Sequence, residues 1–111
     1  MSSQALPLPV QAALKELKHA LYSTYGERLK GVYLYGSYAR GAGRDGSDVD
    51  VLVVLDGPSR VGEEIRRMSP AVAEICLRHD LLVAVFPVST ESFQHRQSPF
   101  LINVRREAVA V

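Results

Sequence analysis

The run Asp48-Val-Asp-Val-Leu-Val-Val-Leu-Asp56 constrains the fold of this chain more than any other segment. Aliphatic and β-branched residues follow one another almost without a break, and Gly57-Pro58 ends them, so the run reads as a β-strand over 48–56. Side chains alternate along a strand, which puts Val49, Val51, Val53 and Leu55 on one face, toward a core. Asp48 and Asp50 share the other face, about 6.6–6.8 Å apart along the chain, and Leu52 and Val54 continue that face as apolar. A strand acidic at its beginning and apolar thereafter needs a sheet to join and a reason for its two carboxylates.

The remaining elements supply the sheet. Val10, Leu14, Leu17, Leu21 and Tyr25 recur at spacings of three and four and predict a helix over about 9–29, with Pro9 in its first turn. Gly31-Val-Tyr-Leu-Tyr-Gly36 predicts a strand with Gly36 as its exit, and the polar, glycine-bearing residues 37–46 predict a loop. A second helix is expected over 59–79, with Val61, Ile65, Met68, Val72 and Ile75 inward and a kink or split at Ser69-Pro70. Residues 80–88 read as a third strand. Ser98-Pro99 starts a last helix carrying Phe100 and Val104, and residues 109–111 form a final short strand. The order α-β-β-α-β-α predicts an α+β domain, a small mixed sheet flanked by helices, occupying residues 1–111 as one unit.

Composition narrows the function. At 47% hydrophobic and 23% charged residues the chain suits a soluble globular domain, and a net charge of +1 gives no general attraction to nucleic acid or anionic membrane. The N-terminal residues lack a signal-peptide pattern, and the apolar residues 81–88, interrupted by Pro87, fall far short of a membrane span. One cysteine, Cys76, falls in the second predicted helix as a packed thiol, which suits a reducing cytoplasm.

Two weak signals become one stronger signal when read together. Paired aspartates alone describe a solvated strand edge, and Gly36-Ser37 alone describes a turn or a helix cap. In combination, glycine lets a phosphate approach the backbone, while amides and the Ser37 hydroxyl donate to its oxygens. Asp48 and Asp50 offer hard oxygen ligands to Mg²⁺ bound to the same phosphates. Arg40 in the intervening loop is either a phosphate contact or a solvated side chain; Arg44 favours solvent, and Ser47 caps the turn into the strand or orients Asp48. Residues 41–46 spell G-x-G-x-x-G, but no helix follows them, so they are not a dinucleotide fingerprint.

Gly36-Ser37, ten intervening residues, then Asp48-Val49-Asp50 resembles the signature of the polymerase-beta-like nucleotidyltransferase superfamily. The fuller Gly36-Ser-Tyr-Ala-Arg-Gly41 with Ser47-Asp-Val-Asp50 is similar to its minimal nucleotidyltransferase (MNT) branch. The resemblance implies AMP transfer from ATP with two Mg²⁺ ions, Gly36 and Ser37 holding the triphosphate and Asp48 and Asp50 ligating metal. It also implies a third carboxylate from a later strand, which helps to deprotonate the attacking hydroxyl. Asp80 is the candidate, as the acidic residue of the third predicted strand. Its place at the very start of that strand leaves a cap of helix or turn as the other reading, in which the site keeps two carboxylates.

The resemblance further implies an antitoxin whose acceptor is a hydroxyl on a partner protein of the HEPN family. The acceptor is expected from another protein or across an oligomer, because 111 residues leave little surface for a second site. Two alternatives are a nucleotide-binding module that inhibits its partner by contact and a transferase acting on a small hydroxylated molecule. Direct nucleic-acid binding is not expected.

Overall fold

The computed structural model describes residues 6–44, 46–58 and 60–111. Residues 1–5, Asp45 and Ser59 lie outside the described residues, and with them the N-terminal segment lacking a signal pattern and the expected start of the second helix.

Helix α1 covers Leu8–Tyr25 and passes through a 3₁₀ turn, Gly26–Arg28, into strand β1, Leu29–Tyr35. Strand β2 is Val49–Leu55, helix α2 Val61–His79 and strand β3 Val83–Ser89. Two short helices, α3 (Thr90–His95) and α4 (Pro99–Glu107), lead to strand β4, Val109–Ala110. The sheet order is β3-β2-β1-β4. β2 is antiparallel to β1 and parallel to β3, and β4 is antiparallel to β1, so the sheet is mixed. The α+β class expected from the element order is the one found.

The aliphatic density of β2 has its reason in this order. As an inner strand it is covered on both faces, and Val49, Val51, Leu52, Val53, Val54 and Leu55 are all buried. Val49, Val51, Val53 and Leu55 pack with Val10, Leu14, Leu17 and Leu21 of α1 and Met68 and Ile75 of α2. On the opposite face Leu52 and Val54 pack with Val88, Leu101 and Val104, and Tyr33, Tyr35 and Phe93 close the cluster. Thus α1 and α2 cover one side of the sheet, and α3 and α4 the other.

Three expectations change. Helix α2 is not split at Pro70, whose ring is exposed. The adjacent Ser69 hydroxyl donates to the Ile65 carbonyl at 2.6 Å, a local contact within the turn that proline disturbs. The buried face of α2 also differs: Val61 and Ile65 are exposed, while Glu64 is only 3% exposed. Glu64 accepts a 2.8 Å hydrogen bond from the Tyr25 phenol and pairs with Arg67 at 3.3 Å and Arg28 at 3.6 Å, which compensates the burial of its charge. Finally, α3 was not expected; Ser89 caps it by accepting from the Ser92 amide at 3.0 Å.

Candidate nucleotide site

Strand register assembles the site. Tyr35 ends β1 opposite Asp50, the second residue of β2, and Ala84 of β3 lies beside Asp50 on its other flank. Asp48 stands just before β2 and is exposed, whereas Asp50 is half-buried. Gly36 follows Tyr35 with φ +80°, and its backbone lies so close to Asp50 that an added Cβ would come within 2.3 Å of the Asp50 Oδ2. Only glycine meets both demands without strain, which explains its place at the strand exit.

The loop after Gly36 folds back on itself. The Arg40 amide donates to the Gly36 and Ser37 carbonyls at 3.2 Å, and the Ala42 amide donates to Ser37 at 2.8 Å. Tyr38 anchors the turn: its ring is buried in the α1–α2 core, and its phenol donates to the Arg44 carbonyl at 3.0 Å. Gly43 is required under that ring, because a Cβ there would meet Tyr38 Cδ1 at 2.1 Å. Ser47 Oγ accepts from the Arg44 amide at 3.0 Å and so shapes the turn into β2. The glycines of residues 41–46 therefore serve loop packing, and the chain passes from them into a strand.

Electrostatics around Asp50 favour a cation. Partial burial raises its carboxyl above the usual carboxylate range, repulsion from Asp48 adds to this, and Arg40 opposes it. Burial likewise pushes the Tyr35 phenol up, with the Asp50 charge adding to the effect. Two adjacent carboxylates of hard oxygen character, one of them partly desolvated, fit a divalent ion that would cancel their repulsion.

The structure places Asp80 outside β3, near Asp48 but not beside Asp50. Asp80 caps α2 in the left-handed conformation (φ 53°, ψ 49°), and β3 begins only at Val83. Such a cap satisfies a helix end, its amide donating to the Cys76 carbonyl. Asp80 lines a shallow depression of about 410 Å³ with Gly46, Ser47 and Asp48, but the β3 position beside Asp50 belongs to Ala84. Among the described residues no three His, Cys, Asp or Glu side chains gather into a metal-holding group.

Two features of the site were not read from the sequence. Glu107, the last residue of α4, accepts from the Gly36 amide at 3.4 Å and from Arg40 Nη1 at 3.3 and 3.4 Å. Its separation of 71 residues from Gly36 left no local signal. An apolar groove of about 410 Å³, lined by Tyr35, Ala84, Val85, Phe86 and Phe100, runs beside Asp50. Phe100 meets Tyr35 and Phe86 edge to face, each with ring centroids 5.5 Å apart.

Comparison with known proteins identifies the family. Residues 14–106 match the family described as "Nucleotidyltransferase domain", and the chain belongs to that family. It is 48% identical over 46 residues to "Putative protein adenylyltransferase MJ0604" of Methanocaldococcus jannaschii, a match spanning 41% of this chain and 46% of that relative. With "Putative protein adenylyltransferase MJ0141" of the same organism it shares 31% identity over 71 residues, 64% of this chain and 71% of the relative. Its fold resembles a crystal structure described as "the toxin-antitoxin with AMP-PNP", with TM-score 0.57 and 20% identity over 85% of this chain and 68% of that one. None of the helices among the described residues is long and apolar enough to cross a membrane.

Proposed function

We propose that this nucleotidyltransferase moves AMP from ATP to a hydroxyl on a partner protein. The observation that carries the proposal is the packing of the Gly36 backbone directly on Asp50, which makes the phosphate-binding turn and the carboxylate pair one site. The Gly36–Ser37 turn and Arg40 hold the triphosphate, and Asp48 and Asp50 hold Mg²⁺, two ions in the full arrangement. Bound Mg²⁺ supplies positive charge to the phosphates and favours ionisation of the attacking hydroxyl. Asp50 is fixed by β-register opposite Tyr35, where it would hold the metal; Arg40 offers a planar, two-pronged donor to the phosphate oxygens. The acceptor oxygen bonds to the α-phosphorus, the bond to pyrophosphate breaks, and the hydroxyl proton leaves to a carboxylate or water.

The names of the two Methanocaldococcus jannaschii relatives support a protein acceptor, and a structural relative described with AMP-PNP supports an adenine nucleotide donor. That relative's description as a toxin-antitoxin supports an antitoxin role here. The modified partner proposed with that role is a HEPN-family toxin, as the sequence resemblance implies. Free Cys76 suits a cytoplasmic setting. Incubation of the neighbouring gene's product with this protein, ATP and Mg²⁺, followed by intact-mass measurement, tests the proposal. Mass rising by whole AMP units supports it, and an unmodified partner whose activity is nevertheless inhibited refutes it.

One observation favours a second reading. Ala84, flanking Asp50, offers no third carboxylate to deprotonate an acceptor, as suits a nucleotide-bound module that inhibits by contact. Asp48→Asn with Asp50→Asn separates the two: inhibition that survives unchanged belongs to contact, and inhibition that disappears belongs to transfer.

A further inference from the structure

Glu107 sits where its own helix disfavours it. It is the last residue of α4, at the end where the helix dipole is negative and a carboxylate is repelled. Its contacts lie instead across the sheet edge, on the Gly36 amide and the Arg40 guanidinium. These are the two groups to which the donor's phosphate is assigned above. Strand β4 follows at once and pairs Val109 with Leu34 and Ala110 with Tyr33, which ties Glu107 beside the exit of β1. The Glu107 side chain keeps 28% exposure and Arg40 keeps 54%, so their pairing is open to competition from solvent-borne anions.

We propose that Glu107 is a built-in competitor for the donor's phosphate: its carboxylate occupies the Gly36–Arg40 anion site, and the triphosphate must displace it. The inference rests on the assignment of Gly36 and Arg40 to the donor. Displacement sets donor affinity, because the phosphate replaces an existing ion pair and then lies near a released negative charge. Glu107→Gln keeps the side chain's shape and removes both effects.

Calorimetric titrations of the full chain with Mg·ATP, inorganic tripolyphosphate and adenosine test this. Glu107→Gln is expected to bind both phosphate ligands about three- to tenfold more tightly, as suits removal of a partly exposed ion pair. Adenosine affinity stays at the wild-type value, which a general structural effect would not spare. Glu107→Asp, one methylene shorter, serves where Glu107→Gln does not fold and should tighten both phosphate ligands in the same direction. Phosphate-ligand affinity that is unchanged or weaker in the variant, with the wild type binding normally, overturns the competitor role and leaves the donor site standing. Absence of binding to wild type and variants alike removes the donor site and the inference together.

Discussion

Replacing Gly36 with alanine separates conformational cost from direct contact, because Gly46 provides a control. Both glycines have positive φ, +80° and +88°, but an added Cβ meets the Asp50 carboxylate at Gly36 and nothing within 4 Å at Gly46. Gly46→Ala therefore costs only the backbone strain, about 1–2 kcal/mol. Gly36→Ala costs the same and must also push Asp50 Oδ2 from 2.3 Å to an ordinary contact of 3.4 Å, a shift near 1.1 Å. Displacing the carboxylate off its rotamer adds about 0.5–1.5 kcal/mol, for a total of roughly 1.5–3.5 kcal/mol. A misplacement of that size in a reacting geometry costs on the order of 100-fold in rate. Urea unfolding gives the stabilities, and Mg·ATP titration with turnover gives the site. Equal stability losses in the two variants, or wild-type turnover in Gly36→Ala, would refute the claim that Gly36 and Asp50 form one packed unit.

Glu64→Ala leaves the buried Tyr25 hydroxyl without its acceptor and Arg28 and Arg67 without their carboxylate; an unfolding free energy lower by about 2–4 kcal/mol is expected from denaturant curves. Burial, with the Glu64 contact adding to it, pushes the Tyr25 phenol up to about 12. Since its unfolded value is about 10, this group's contribution is complete below roughly pH 10 and is lost as pH rises through the folded value. Absorbance titration should show a late tyrosine step near pH 12 that Tyr25→Phe removes; a variant curve identical to the wild type's above pH 10 would contradict it. Asp80 already has φ 53°, so Asp80→Gly should keep stability within about 1 kcal/mol of wild type and leave Mg·ATP affinity unaltered. A loss of metal-dependent nucleotide binding in that variant would return Asp80 to the site.

Where one segment carries its own pattern, the sequence was a sufficient guide. The aliphatic run of β2, the Ser98-Pro99 start of α4 and the Gly36 exit of β1 are local, and each is found where periodicity or turn chemistry puts it. Ser98 indeed caps α4, accepting from the Leu101 amide at 3.2 Å. The errors come from contacts between distant segments. Glu64 lies beside the apolar stripe of α2, but only the arrival of Tyr25 and Arg28, next to Arg67 of its own helix, makes the burial of its charge favourable. A run of apolar residues made Asp80 look like the start of β3, but the left-handed cap and Leu81-Leu82 intervene before pairing begins at Val83. Ala84 beside Asp50 is a fact of parallel register, which no single strand encodes. Glu107 reaches the Gly36 amide only because β4 pairs with β1.

The central claim is that residues 36–50 bind metal and triphosphate together. Its most direct test is paramagnetic resonance of Mn²⁺, used in place of Mg²⁺, titrated with this protein in the presence and absence of ATP. The account predicts that ATP strengthens Mn²⁺ binding to the wild-type protein beyond what ATP alone binds, and that Asp48→Asn with Asp50→Asn abolishes the gain while the fold persists. Equal Mn²⁺ binding by the folded double variant and the wild type would contradict it.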